Sequence, residues 1–348
     1  MDFLVLFFLS SGLFLGWTLG VNNMCNVFGT AIGTQMLSHK KAIAIACVFV
    51  VLGAVMSGHG VSTTLSDLGN ITTLPGAFIV ALSAAFSLYL VTKAGAPASA
   101  TQAIVGSIIG WSLFAHVHVD VWLVGRIVAS WFVSPLLAAV FAFILLHLFK
   151  IYLKARPIPM LYRDAYIRMG LVLAGAFSAY ALGANNIGNV MAPFLNVVHL
   201  PTLNFFGIPV LSNSQLFFIG GLSIAVGISM YARNVMQTVG NGLLKMTPID
   251  GLVVVLTYGL VLFLFSSVSL HHFLVRCSLP TIPLVPLSSS GAVVGAILGI
   301  SLFKGGRGLK IKELFKIMCS WILVPVISAA VCFLALFFMK NVFGQEVF

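Results

Sequence analysis

Ten apolar runs separated by short polar stretches dominate the chain, at roughly residues 3–19, 42–57, 75–92, 103–117, 121–149, 169–182, 215–231, 251–270, 292–303 and 318–339. The short alternating strands and polar lumen of a transmembrane β-barrel are absent from this pattern. A helical membrane span takes about 20 residues. The chain therefore has room for about ten to twelve helical segments, provided loops are short and some helices are broken. The predicted class is an all-α polytopic membrane protein.

Composition sharpens that reading. Of 348 residues, 60% are hydrophobic and only 7% are charged, with a mean hydropathy of +1.12. A soluble domain carries about 25% charged residues. The shortage excludes an extracellular enzyme, a nucleic-acid binder and a disordered scaffold. The net charge of +11 sits in loops between apolar runs, where it reads as cytoplasmic loop charge in a multi-pass protein of the inner (plasma) membrane. Five cysteines (Cys25, Cys47, Cys277, Cys319, Cys332) lie in apolar surroundings without CxxC spacing and read as small apolar residues. The first run follows Asp2 with no basic segment before it, so it reads as a first span and not a cleaved signal peptide.

The most polar stretch, 150–168, holds Lys150, Lys154, Arg156, Arg163, Asp164 and Arg168, and the sequences on its two sides match. Gly20-Val-Asn22-Asn23-Met-Cys-Asn26-Val27 answers Gly183-Ala-Asn185-Asn186-Ile-Gly-Asn189-Val190, a shared GxNNxxNV at an offset of 163. Gly53, Met56, Val61 and Thr64 answer Gly227, Met230, Val235 and Thr238 at 174. Pro97-Ala-Ser99-Ala-Thr101-Gln102 answers Pro286-Leu-Ser288-Ser289-Ser290-Gly291 at 189. Three collinear pairs argue for duplication, with 1–150 and 167–348 as the repeats and 151–166 as a basic cytoplasmic linker. Lys40 and Lys41 follow the first GxNNxxN, whereas 196–214 has no Lys or Arg; 111–120 has none, whereas its counterpart holds Lys304, Arg307, Lys310, Lys312 and Lys316. Equivalent loops thus differ in charge bias, the pattern of inverted repeats in secondary transporters.

The repeated motifs place chemistry inside apolar runs. Gly20 and Gly183 are expected to let the chain leave the helix, with Asn22, Asn23, Asn26, Asn185, Asn186 and Asn189 lining the break, because free backbone in lipid is tolerated only around a cavity. Prolines at the start of short helices put Ser99, Thr101, Ser288, Ser289 and Ser290 beside free N–H groups. Helix N-termini and amides form a neutral, donor-rich pocket that suits a compact oxyanion.

These residues carry a family resemblance. GVNNMCNVFGT (20–30) and GANNIGNVMAP (183–193) resemble the doubled GANDVANA signature of the inorganic phosphate transporter family. PASATQAIVGSIIG and PLSSSGAVVGAILG resemble its PVSATHAIVGAIIG, and the segment from Arg233 to Pro248 resembles its RVMxTVG and TP. The resemblance implies an inverted-repeat transporter with broken helices, a homodimer, that moves phosphate with Na+ or H+ and needs no other cofactor. The chain departs from the pattern where the family has carboxylates and histidine. The signature aspartates are Asn23 and Asn186, the motif histidine is Gln102 and Gly291, and helical glutamates fall at Val50 and Val255. Hard cations favour carboxylates. An aspartate accepts a hydrogen bond from protonated phosphate but repels proton-free sulfate, and asparagine removes that filter.

The expected function is symport of a tetrahedral oxyanion, with phosphate first and a proton-coupled sulfate permease or an uncoupled anion channel as alternatives. A membrane enzyme is disfavoured, since no nucleophile–base signature or metal-ligand cluster is present. His59, Asp67 and Arg233 are candidates for charge compensation or coupling. His116, His118, His271 and His272 receive no metal assignment.

Overall fold

The computed structural model describes residues 3–93, 98–155, 159–205, 208–230, 246–306 and 310–348. Arg233 lies outside them, as do Val235 and Thr238 of the second repeat pair. The described residues form twelve α-helices: α1 (Phe3–Gly33), α2 (His39–Ser57), α3 (His59–Gly69), α4 (Leu74–Lys93), α5 (Ala100–Ala115), α6 (Val121–Ala155), α7 (Met160–Met191), α8 (Ser212–Ser229), α9 (Pro248–Ser266), α10 (Val268–Arg276), α11 (Ser289–Phe303) and α12 (Ile311–Asn341). Seven of them, α1, α2, α4, α6, α7, α9 and α12, are long and apolar enough to cross a membrane. The chain is an all-α polytopic membrane protein. Its only described strands, β1 (Leu203–Phe205) and β2 (Ile208–Val210), form a small antiparallel hairpin in the loop before α8.

The apolar runs became helices, with two corrections. The expected breaks at Gly20 and Gly183 do not occur: α1 and α7 continue through both GxNNxxN motifs. Asparagine interrupts a helix when its side chain competes for nearby backbone groups. Here most of the amide groups bond to other segments or to each other, so the backbone ladder survives. The expected linker 151–166 is mostly helix, since α6 runs to Ala155 and α7 starts at Met160. At 1.5 Å per residue the 35 residues of α6 extend about 52 Å, well past a hydrocarbon core of about 30 Å, so its charged end projects without unwinding.

The glycines serve close packing. A Cβ on Gly20 would meet the carbonyl oxygen of Ile224, and one on Gly227 that of Trp17. One on Gly183 would meet the carbonyl of Val50, and one on Gly53 that of Tyr180. Thus α1 lies against α8, and α7 against α2. Gly106 and Gly110 of α5 approach Pro325 and Ala329 of α12, while Gly295 and Gly299 of α11 approach Pro135 and Ala139 of α6. In each pair, a helix from one half of the chain packs on a helix from the other. On the outside, α6 and α12 present Phe132, Leu136, Phe143, Ile322, Val326 and Phe333, all exposed. Such a continuous apolar surface suits lipid and not water.

Candidate functional site

The short helices α5 and α11 start inside the protein, at buried Ser99 and Ser288. An α-helix N-terminus leaves backbone N–H groups without intrahelical partners. Ser288 meets one of them by accepting from the Gly291 N–H at 3.1 Å. Ser99 makes no such bond.

Asparagines of α1 and α7 anchor the chain that enters each short helix. Asn22 donates to the carbonyl of Ala98 at 2.9 Å. Asn185 donates to the carbonyl of Leu287 at 3.1 Å and accepts its N–H at 3.0 Å. Within each helix the next pair repeats: Asn26 donates to Asn23 Oδ1 at 2.9 Å, and Asn189 to Asn186 Oδ1 at 3.0 Å. Residues three apart share a helix face, which is why both motifs space the amides this way.

Further bonds join the two halves. The Thr101 hydroxyl donates to the Leu287 carbonyl at 2.9 Å and accepts from Asn189 at 3.1 Å. Asn186 donates to Ser289 Oγ at 3.0 Å and to the Leu182 carbonyl at 3.0 Å. Ser288 and Ser290 hydroxyls pair at 3.2 Å. Asn185, Asn186, Asn189, Thr101 and Ser289 therefore share one network, Asn22, Asn23, Asn26, Ser288 and Ser290 bond outside it, and the Ser99 hydroxyl has no partner.

The two halves are not equivalently bonded. Asn189 reaches Thr101, but no bond joins their counterparts Asn26 and Ser290. Asn185, Asn186 and Asn189 are fully buried, while Asn22 and Asn26 are half-buried.

Several buried polar atoms at the site lack partners: Ser99 Oγ, both ends of the Gln102 amide, Asn189 Oδ1 and Ser134 Oγ. An unsatisfied buried group costs about 1–3 kcal/mol. These atoms cluster beside the N-termini of the two short helices. Gln102, one residue beyond Thr101, was legible as a motif departure but not as a lining residue. Ser134 on α6 stands close to where a Gly291 side chain would be, and nothing in the sequence marked it. Tyr258 of α9 is fully buried and its hydroxyl has no partner, also without a sequence signal.

The described site has no charged side chain. His59 and Asp67 are exposed on α3, and no bond ties either to the network. The buried carboxylate is elsewhere: Asp250 at the start of α9 accepts from Lys304 at 2.5 Å and from the Thr247 N–H at 2.7 Å. It belongs to the capping box at the N-terminus of α9, and Lys304 caps the C-terminal end of α11.

Comparison with known proteins bears on this architecture. The sequence model of the Phosphate transporter family matches residues 19–163, 153–281 and 275–347. Proteins named "putative phosphate permease" are similar over nearly the whole length. That of Pyrococcus abyssi is 24% identical over 94% of this chain and 96% of its own. That of Haemophilus influenzae is 23% identical over 96% of each. The solved structure of a sodium-dependent phosphate transporter aligns with a TM-score of 0.74 at 21% identity, covering 97% of this chain and all of that one. At that identity the likeness establishes the fold.

Proposed function

The chain belongs to the phosphate transporter family, a family of transporters and not of enzymes, and on that premise we propose that it is a secondary active transporter of inorganic phosphate working by alternating access in the inner (plasma) membrane. The observation that carries the reading is the set of partnerless buried groups, Ser99, Gln102 and Ser134, beside the N-termini of α5 and α11. Hydroxyl and amide donors there suit a tetrahedral oxyanion, and the helix N-termini favour its charge.

Alternating access is supported by the crossed glycine contacts and the unequal halves. Equivalent helices pack on each other's partners, as expected of two inverted repeats spanning 1–150 and 167–348. The bond between Asn189 and Thr101, absent between Asn26 and Ser290, fits one repeat closed while the other is open. Exchange of those two arrangements moves the site's access from one face to the other.

A second reading, sulfate transport, rests on one observation. No carboxylate lies in the network, so nothing built into it rejects an anion without a proton. Uptake by the purified protein in liposomes tests both readings, with phosphate and sulfate in competition, with and without sodium. Sodium-dependent, phosphate-selective accumulation supports the first. Sodium-independent sulfate selectivity replaces it with the second, and equilibration without accumulation replaces symport with a channel.

A further inference from the structure

The translocation site is neutral, and a neutral site in a low-dielectric interior does not by itself draw anions from solution. A polar cavity of about 300 Å³ has Val285 in its wall, two residues before Leu287 of the network. Its wall is formed by Arg126 of α6, His271 of α10, Thr64 of α3, Thr281 and the stretch 283–285. That volume holds roughly ten waters at about 30 Å³ each, enough for a partly hydrated oxyanion.

We infer that this cavity is an anion-capture vestibule, in which Arg126 with Thr281 receives a tetrahedral oxyanion before it passes to the asparagine–serine site. Arg126 is exposed, and the described residues offer it no carboxylate partner. An unpaired guanidinium presents a fork that matches two oxygens of one oxyanion. Thr281 adds an exposed hydroxyl.

The cavity wall is tied to the site by the chain itself. Thr64 donates to the Leu284 carbonyl at 2.6 Å, and His271 Nδ1 lies 3.1 Å from the Ile282 carbonyl, so the strap 281–285 is fixed in the cavity wall. Val285 lines the cavity, and two residues on, Leu287 bonds to Asn185 and Thr101. Between the second and third repeat pairs the offset rises from 174 to 189, so the second half is longer there, in the stretch that holds α9, α10 and the strap. The vestibule lies on one face of the protein. By loop charge that face is the external one, because the lysine-bearing loops lie at the opposite ends of α6 and α11.

This inference rests on the transport reading, so its test uses no transport. In a Cys277→Ser background, Thr281→Cys is labelled in detergent with a sulfonate-bearing and a trimethylammonium-bearing thiol reagent, each rate divided by that for free cysteine. The expected result is a rate ratio of roughly tenfold in favour of the anionic reagent. Arg126→Gln should abolish it and Arg126→Lys should keep most of it. Inorganic phosphate should slow labelling more than chloride at equal ionic strength. No anion preference, a preference unchanged in Arg126→Gln, or no phosphate effect overturns the vestibule. A protein that labels as expected but accumulates no anion in liposomes overturns the transport reading alone.

Discussion

Asn189 of α7 donates to the hydroxyl of Thr101 on α5 at 3.1 Å, and Thr101 passes the chain of bonds on to the Leu287 carbonyl at 2.9 Å. One threonine therefore connects the helix, the opposite short helix and the strap that enters the third. Thr101→Val keeps the shape and removes the hydroxyl. The Leu287 carbonyl keeps its bond from Asn185, but an Asn189 amide proton is stranded, which costs about 1–3 kcal/mol. Uptake should fall about tenfold or more, since 1.4 kcal/mol is tenfold, while Thr101→Ser retains most of it in the same liposome assay.

Gln102 is fully buried with neither end of its amide bonded. A residue kept for a ligand should cost stability without it. Gln102→Leu should raise the Tm of the anion-free protein, by the equivalent of about 1 kcal/mol. It should also remove the Tm increase that phosphate produces in the wild type. A variant that loses stability in the absence of anion would mean that Gln102 is structural.

Asn23 takes the bond of Asn26 through its Oδ1, and a carboxylate at this position can still do so. Asn23→Asp adds a negative acceptor that monoprotonated phosphate can satisfy and sulfate cannot. The phosphate-to-sulfate uptake ratio should rise several-fold, read by competition between the two labelled anions.

The glycines divide into two kinds. Gly183→Ala drives a Cβ into the Val50 carbonyl, which as backbone cannot step aside. That variant should lose much of its monodisperse yield on gel filtration. Gly33→Ala meets nothing within 4 Å, and at the end of α1 it should match or exceed wild-type stability by about 0.5 kcal/mol.

The ion pair of Asp250 and Lys304 is lopsided, because Asp250 is 2% exposed and Lys304 29%. Lys304→Met leaves a buried carboxylate without its cation and should cost roughly 3 kcal/mol. Asp250→Asn leaves a lysine that reaches water and keeps acceptors for Thr247, so it should cost clearly less. Thermal unfolding of both variants checks the order. Equal losses would mean that the capping box and not the charge matters.

Apolar runs located ten of the twelve described helices, though not the full reach of α1, α7 and α12, because in lipid every backbone group must be satisfied within its own segment; the more polar α3 and α10 had no run of their own. The doubled asparagine and serine motifs likewise marked the residues that meet in the network, since amides in an apolar run demand partners. The direction in which they act was not legible. Gly20 and Gly183 looked like helix breaks and are contact points, since a glycine's role depends on what stands opposite its missing side chain. That neighbour, Ile224 or Val50, lies far off in sequence.

Sequence alone thus determined the membrane class and the long apolar helical segments, both of which follow from residue composition and local spacing. Tertiary structure alone decided that the helices of each half pack on those of the other and that Gln102, Ser134 and Tyr258 join the site. It also decided that residues of the stretch 281–285 line a cavity with Arg126. Those facts depend on contacts between residues distant along the chain, where no local pattern records which surfaces will meet.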